Sequence, residues 1–297
     1  MNAALLILPN FVLILVGLAL ARRFGYGRDF WEGLEKLVYY VLFPALLFRS
    51  LAGAKIDVAE AGWLVLAAWA FTVAGFLLSL LARPLFALNQ QLHATASQCG
   101  YRFNTYIGLA VAGSLFGTPG VALAALLLGA MIPLANFGAV AVLATHSDRG
   151  FLRELAQHPL VLSSLAGFAW NLAGPPLPGF ADQTLALLGQ TALPAGLLSV
   201  GAAMRIERGQ GPVGAHAWWL AVKLVAVPAI AWGLAWSLGL HGNEGRILIL
   251  CAALPTATNA YILAVRMTGD GRAVATQITV GTVLSMATLP AWMAAPL

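Results

Sequence analysis

The chain has 297 residues, of which 60% are hydrophobic and only 9% are charged, and its formal net charge is +5. Soluble proteins average about 25% charged residues, because a globular domain keeps a wetted, charged surface over most of its area. The composition therefore excludes a soluble enzyme or binding domain and predicts an all-α polytopic protein in a lipid bilayer. The basic residues are scattered over short loops, which indicates cytoplasmic loops and no nucleic-acid partner.

Long apolar runs broken by charge, Gly or Pro predict about ten transmembrane helices, since each crossing takes about 20 residues. The first run is followed by Arg22 and Arg23. A cleavable signal carries its positive charge ahead of the apolar stretch, so this run is a retained span. The excess of Lys and Arg in alternate loops predicts that both termini lie outside, in the periplasm. In chain order the predicted spans are 3–21, 33–53, 61–82, 92–115, 120–145, 159–175, 181–203, 213–239, 246–265 and 273–295.

Two short patterns recur in the second half of the chain. The Pro-Ala pair at 44–45 recurs at 194–195, and the Asn-x-Tyr-Ile pattern at 104–107 recurs at 259–262, each about 150 positions later. Each repeat contains an odd number of spans, so the two repeats cross the membrane in opposite directions, as in many secondary transporters. The predicted units are a first repeat at 1–147, a cytoplasmic connector at 148–158 and a second repeat at 159–297.

The charged residues are distributed unevenly across the predicted membrane. The acidic residues all fall in loops or at helix ends, which disfavours a cation pump, and we expect neither a metal nor a cofactor. Two basic residues lie deep in spans, Arg102 in the fourth and Lys223 in the eighth. An anionic ligand explains a buried arginine that has no acidic partner. The alternatives for Arg102 are bonds to backbone carbonyls or snorkelling to the lipid headgroups, and the long stem of Lys223 could also reach the headgroups.

Asn104 and Asn259 occupy matching positions in the repeat, beside residues that weaken a helix, such as Pro255. Interruption of both spans at mid-depth would expose N-terminal amide groups, which attract anions. The alternative is that the asparagines only bond neighbouring helices, the role that is also predicted for Asn10 and Asn136. The nearby tyrosines would then only pack. The candidate substrate-binding residues are Arg102, Asn104, Thr105, Tyr106, Lys223, Pro255, Thr258, Asn259 and Tyr261.

Three motifs resemble the auxin efflux carrier family, particularly its bacterial members. They are Leu-Phe-Pro-Ala-Leu-Leu-Phe at 42–48, Arg-Phe-Asn-Thr-Tyr-Ile-Gly at 102–108 and Leu-Pro-Thr-Ala-Thr-Asn at 254–259. The resemblance implies a fold similar to plant PIN auxin exporters and bile acid sodium symporters, with two inverted five-helix repeats whose fourth and ninth helices are broken and cross at the substrate site. Phe103 stands where plant members carry a crossover proline.

The resemblance also implies how such a protein works. Spans 1, 2, 6 and 7 would form a scaffold, and spans 3–5 and 8–10 would form a bundle that moves in an elevator-type mechanism. A homodimer and, for a bacterial member, the inner membrane are implied as well.

These features predict a secondary transporter for a small organic anion, a mono- or dicarboxylate that is malonate-like, malate-like or auxin-like. Whether a proton, sodium or no ion is coupled stays open. One alternative is a sodium-coupled symporter of a bulkier anion such as a bile acid. Another is a membrane receptor or sensor that binds its ligand without moving it. An enzyme is not expected, because the spans contain no catalytic motif for nucleophilic or metal-assisted chemistry.

Overall fold

The computed structural model describes residues 3–54, 58–143, 159–174, 176–207, 211–240, 242–268 and 270–297. The predicted connector at 148–158 lies outside these residues. Wider π turns at Val38–Leu42 and Val222–Ala226 join α2 to α3 and α10 to α11, and a tight 3-10 turn at Ser97–Gly100 follows α6. The helices are α1 Ala3–Arg23, α2 Arg28–Leu37, α3 Phe43–Ala52, α4 Val58–Leu80, α5 Ala82–Phe86, α6 Gln90–Ala96, α7 Thr105–Leu143, α8 Pro159–Ala173, α9 Gly179–Ala203, α10 Val213–Ala221, α11 Val227–Ser237, α12 Asn243–Ala253, α13 Asn259–Thr268 and α14 Arg272–Ala294.

Several of these helices have the length and apolar composition of membrane spans. Within the described part of the chain, 6 helical stretches are long and apolar enough to cross a bilayer. Many of their large apolar side chains are exposed, as Leu5, Leu8 and Val12 are on α1, which suits a protein whose outer surface faces lipid. The prediction of a polytopic helical membrane protein is therefore confirmed.

The chain leaves helical geometry at two places within otherwise apolar helical stretches. Residues 101–104 separate the 3-10 turn from α7, and residues 254–258 separate α12 from α13. The second interruption contains Pro255, which has no N–H to donate to a helical bond. The first contains no proline. A further change of direction occurs inside α7 at Gly117, whose φ of 64° suits a residue without a Cβ.

The first of two compact units, unit 1, comprises residues 1–61, 106–129 and 152–203. Its helices α1 and α9 pack closely, because Gly17 and Gly201 leave no side chain between them. Arg49 of α3 forms a bidentate ion pair with Asp182 of α9, with Nε–Oδ1 and Nη2–Oδ2 distances of 2.8 and 3.1 Å. Asn171 of α8 donates to the carbonyl of Ala54 at 2.6 Å, just beyond the end of α3.

The second compact unit, unit 2, comprises residues 62–105, 130–151 and 204–297. Indole N–H groups connect its helices through backbone carbonyls. Trp219 of α10 is fully buried and donates to the carbonyl of Ser79 on α4 at 3.1 Å. Trp292 of α14 donates to the carbonyl of Leu224 at 2.9 Å, within a π turn. Each of these indole N–H groups thus has an acceptor, as polar groups removed from water require. Unit 2 contains both interruptions.

Candidate substrate site

Two hydrogen bonds join the interrupted segments of unit 2. The backbone N–H of Asn104 donates to the carbonyl of Pro255 at 2.8 Å. The hydroxyl of Thr256 donates to the carbonyl of Cys99 at 2.7 Å. Peptide groups that leave a helix lose their intrahelical partners, and in a membrane interior they need others from the protein. Asn104 of the first interruption therefore satisfies a carbonyl of the second, and Thr256 of the second satisfies a carbonyl of the 3-10 turn that precedes the first.

Replacement of Thr256 by valine tests this connection, because valine keeps the shape and removes the hydroxyl. We expect the valine variant to lose about 1–3 kcal/mol of stability, the usual cost of leaving a buried acceptor unsatisfied. Thermal unfolding in detergent measures the loss. Thr256→Ser, which keeps the hydroxyl, is the matched control and should unfold near the wild-type temperature. Equal unfolding temperatures for the valine and serine variants would show that the bond adds nothing.

Arg102 lies in the first interruption, and its side chain is only 6% exposed. One terminal nitrogen donates to Oε1 of Gln98 at 3.2 Å, and the other donates to Oδ1 of Asn136 at 2.9 Å. No carboxylate among the described residues forms an ion pair with it. Neutral amides orient the guanidinium and leave its full positive charge in place. A guanidinium carries five N–H donors, so these two bonds leave donors for a ligand.

Gln98 and Asn136 were not among the candidate residues. Gln98 is four residues before Arg102, a spacing that brings side chains together on a helical turn, and it is fully buried. Asn136 lies in the apolar second half of α7, and the sequence favours a helix-packing role for it. The structure shows which group it bonds, because its amide oxygen accepts from Arg102. Only the folded chain brings residues 34 positions apart into contact.

The two repeat-matched asparagines both lie where a helix begins. Asn104 directly precedes α7, which begins at Thr105, and Asn259 is the first residue of α13. Asn104 is buried, whereas Asn259 is exposed and Thr258 is half-buried. The first amides of a helix lack intrahelical acceptors and carry partial positive charge. Each interruption thus ends at the N-terminus of a helix, whose dipole favours negative charge, and in α13 the amides of Ala260 and Tyr261 donate to the carbonyls of Ala257 and Thr258.

The two candidate tyrosines belong to different units. Tyr106 is in unit 1, where its ring stacks on Phe43 with centroids 4.6 Å apart. Tyr261 is in unit 2, where the guanidinium carbon of Arg205 lies 3.9 Å from the centre of its ring. Arg205 also pairs with Glu207 at 2.9 Å. Both rings therefore have packing partners within their own units.

Lys223 lies in the π turn between α10 and α11 and is 2% exposed. Its ammonium donates to the carbonyl of Ala252, in the last turn of α12, at 2.8 Å. The side chain therefore points into the protein, onto the end of α12. Among the described residues, no group of three or more His, Cys, Asp or Glu side chains could hold a metal ion.

Comparison with known proteins places these features in a family context. The family profile described as "Membrane transport protein" matches residues 143–293. A Methanothermobacter thermautotrophicus protein named "Uncharacterized transporter" is 25% identical over 296 residues, covering 96% of this chain and 96% of that protein. A Rhizobium meliloti protein named "Putative malonate transporter" is 29% identical over 308 residues, covering 96% of this chain and 92% of that protein.

Proposed function

Since this chain belongs to the auxin efflux carrier family of membrane transport proteins, we propose that it is a secondary transporter that moves a small organic anion across the inner membrane. The substrate class is a mono- or dicarboxylate. The name of the Rhizobium meliloti relative makes malonate the first compound to test.

One observation carries the choice of an anion. Arg102 is buried in unit 2, holds its charge against two neutral amide oxygens and forms no ion pair with any described carboxylate. A buried charge without a counter-ion is costly, and its attraction to an opposite charge is much stronger there than in water. The carboxylate of a substrate would supply the missing charge. The N-termini of α7 and α13 favour the same sign of ligand.

The proposed mechanism is alternating access by an elevator movement, in which unit 1 is the scaffold and unit 2 carries the substrate. The fold proposed for this mechanism has ten spans in two inverted repeats, and its fourth and ninth spans are broken and cross. Two features support this. The predicted scaffold spans 1, 2, 6 and 7 all fall in unit 1, which also contains residues 106–129, and every candidate residue except Tyr106 falls in unit 2. The proposal includes a homodimer with periplasmic termini, as the resemblance and the loop charges imply.

Energetics favour export as the direction of transport. A membrane potential that is negative inside favours exit of an anion by about 2.3 kcal/mol per charge per 100 mV. Export can therefore proceed without a coupled ion, whereas uptake against this field needs a co-transported cation. The described residues of the interrupted segments contain no carboxylate that could carry a proton or help to hold sodium.

Flux into proteoliposomes tests the proposal. Purified protein should exchange external radiolabelled malonate for internal malonate at a saturable rate at least about 10-fold above that of protein-free vesicles, because a carrier accelerates exchange at equal concentrations on both sides. Acetate, malate, an indole acid and a bile acid compete in parallel vesicles. Strict dependence on sodium with a preference for the bile acid would support the symporter alternative. Ligand-induced thermal stabilisation without any flux would indicate a receptor and overturn the proposal.

A further inference from the structure

Lys223 is a second buried cation of unit 2, and its surroundings differ from those of Arg102. Its ammonium donates to a backbone carbonyl, that of Ala252, and none of the described carboxylates forms an ion pair with it. Burial of a charged group is costly unless polar groups compensate it. The compensating group in this case is the end of a helix.

That helix end lies inside the protein. α12 stops at Ala253, and Ala252, Ala253 and Leu254 are all 0% exposed. The last four carbonyls of a helix lack intrahelical donors and carry partial negative charge. In ion-coupled transporters, the carbonyl ends of interrupted helices are where a monovalent cation is coordinated. The end of α12 is such a carbonyl end, and the ammonium of Lys223 donates to it.

The π turn positions this ammonium. It widens the helix at Val222–Ala226, so that the carbonyl of Leu224 accepts a hydrogen bond from Trp292. The turn also packs beside the first interruption, since a Cβ on Gly100 would lie 3.4 Å from a methyl of Val222. π turns are frequent at functional sites. In this protein the turn brings Lys223 to the end of α12, just before one interruption, and Val222 to the 3-10 turn, just before the other.

We propose that Lys223 is a tethered cation, whose ammonium fills the cation position at the C-terminal end of α12 and makes the carrier independent of sodium. This inference rests on the proposed function, because it names the ion coupling of that same transport site. In this proposal Lys223 binds the end of α12 and does not contact the substrate. Arg102 is then the cation that binds the substrate's carboxylate.

Lys223→Ala tests the assignment, because it opens the position and leaves a space that matches propylammonium. In choline chloride, the alanine variant should melt roughly 5 °C below the wild type, since a buried helix end loses its donor. Sodium chloride at the same ionic strength should raise the melting temperature of the variant and leave that of the wild type unchanged. Propylammonium should also restore part of the loss, whereas uncharged propanol should not. Lys36→Ala, at an exposed lysine, is the matched control and should melt like the wild type in every salt.

Two outcomes of the measurements on Lys223→Ala would overturn the proposal. One is a wild-type protein that sodium stabilises as much as it stabilises the alanine variant, and the other is a variant that neither sodium nor propylammonium stabilises. If the alanine variant does not accumulate, Lys223→Met is compared with Lys223→Arg in choline chloride. The arginine variant, which keeps a cation, should melt near the wild type, and the methionine variant should melt lower. Equal melting of the two would likewise reject the assignment.

Flux measurements separate this inference from the proposed function. Malonate exchange by the wild type should proceed at the same rate in sodium and in choline. A wild type that moves no carboxylate in either salt would reject the proposed function, while the salt dependence of melting would still decide the role of Lys223. A wild type whose exchange requires sodium would reject the tethered cation and leave carboxylate transport intact.

Discussion

Arg102→Ala is expected to abolish stabilisation by malonate and to lower malonate exchange by about 100-fold. The substitution removes the one cation of the first interruption, and loss of one partner of a buried charged contact costs about 2–5 kcal/mol. It also leaves the amide oxygens of Gln98 and Asn136 without their donor. Ligand-dependent melting measures binding, and exchange in proteoliposomes measures transport, so the two effects are separable.

Three variants accompany this measurement. Arg102→Lys keeps the charge but loses the planar fork, and should retain weakened binding. Asn136→Leu keeps the charge and removes one of the groups that orient it, so its effect should be intermediate. Arg246→Ala, at an exposed arginine, should behave like the wild type. Full malonate affinity in the Arg102→Ala protein would remove the central support for an anion site.

Gly201→Ala adds a single methyl group and is expected to cause a large loss of stability. A Cβ at Gly201 would overlap the backbone carbonyl oxygen of Ile14, and a Cβ at Gly17 would overlap that of Leu198. The obstructing atoms are backbone, so they cannot move by a change of rotamer. The helices α1 and α9 would have to separate, at a cost of about 3 kcal/mol or more. The melting temperature should fall by roughly 10 °C, or the protein should fail to accumulate.

Gly233→Ala is the matched control for this substitution. Gly233 lies within α11, and a Cβ there would have no atom within 4 Å. Alanine favours a helix over glycine by up to about 1 kcal/mol, so the control should melt at or slightly above the wild-type temperature. Gly17→Ala should reproduce the loss seen for Gly201→Ala, because it obstructs the same helix pair from the other side. Similar melting of the Gly201 and Gly233 variants would contradict the close packing.

Several parts of the fold could be predicted from the sequence because they depend on local composition. Long apolar runs predicted a polytopic helical protein, and the structure confirms it. The motifs around Arg102 and Asn259 indicated the auxin efflux carrier family, which the comparisons confirm. Pro255 predicted the interruption at 254–258, because proline has no N–H for a helical hydrogen bond. The interruption at 101–104 contains no proline, and Phe103 can occupy a helix. Hydrogen bonds to residues distant in the sequence stabilise this interruption.

The sequence by itself determined that this chain resides in a membrane, that its interior charges are positive, and that a proline interrupts the helix at 254–258. These features follow from side-chain hydrophobicity and from the backbone chemistry of proline and glycine, which act over a few residues. Only the tertiary structure decided which groups meet the buried cations. Asn136 holds Arg102, and Ala252 receives the ammonium of Lys223. Such contacts join residues about 30 positions apart on different segments, and no periodicity in the sequence records them, because a buried polar group accepts any partner that the fold brings within hydrogen-bonding distance.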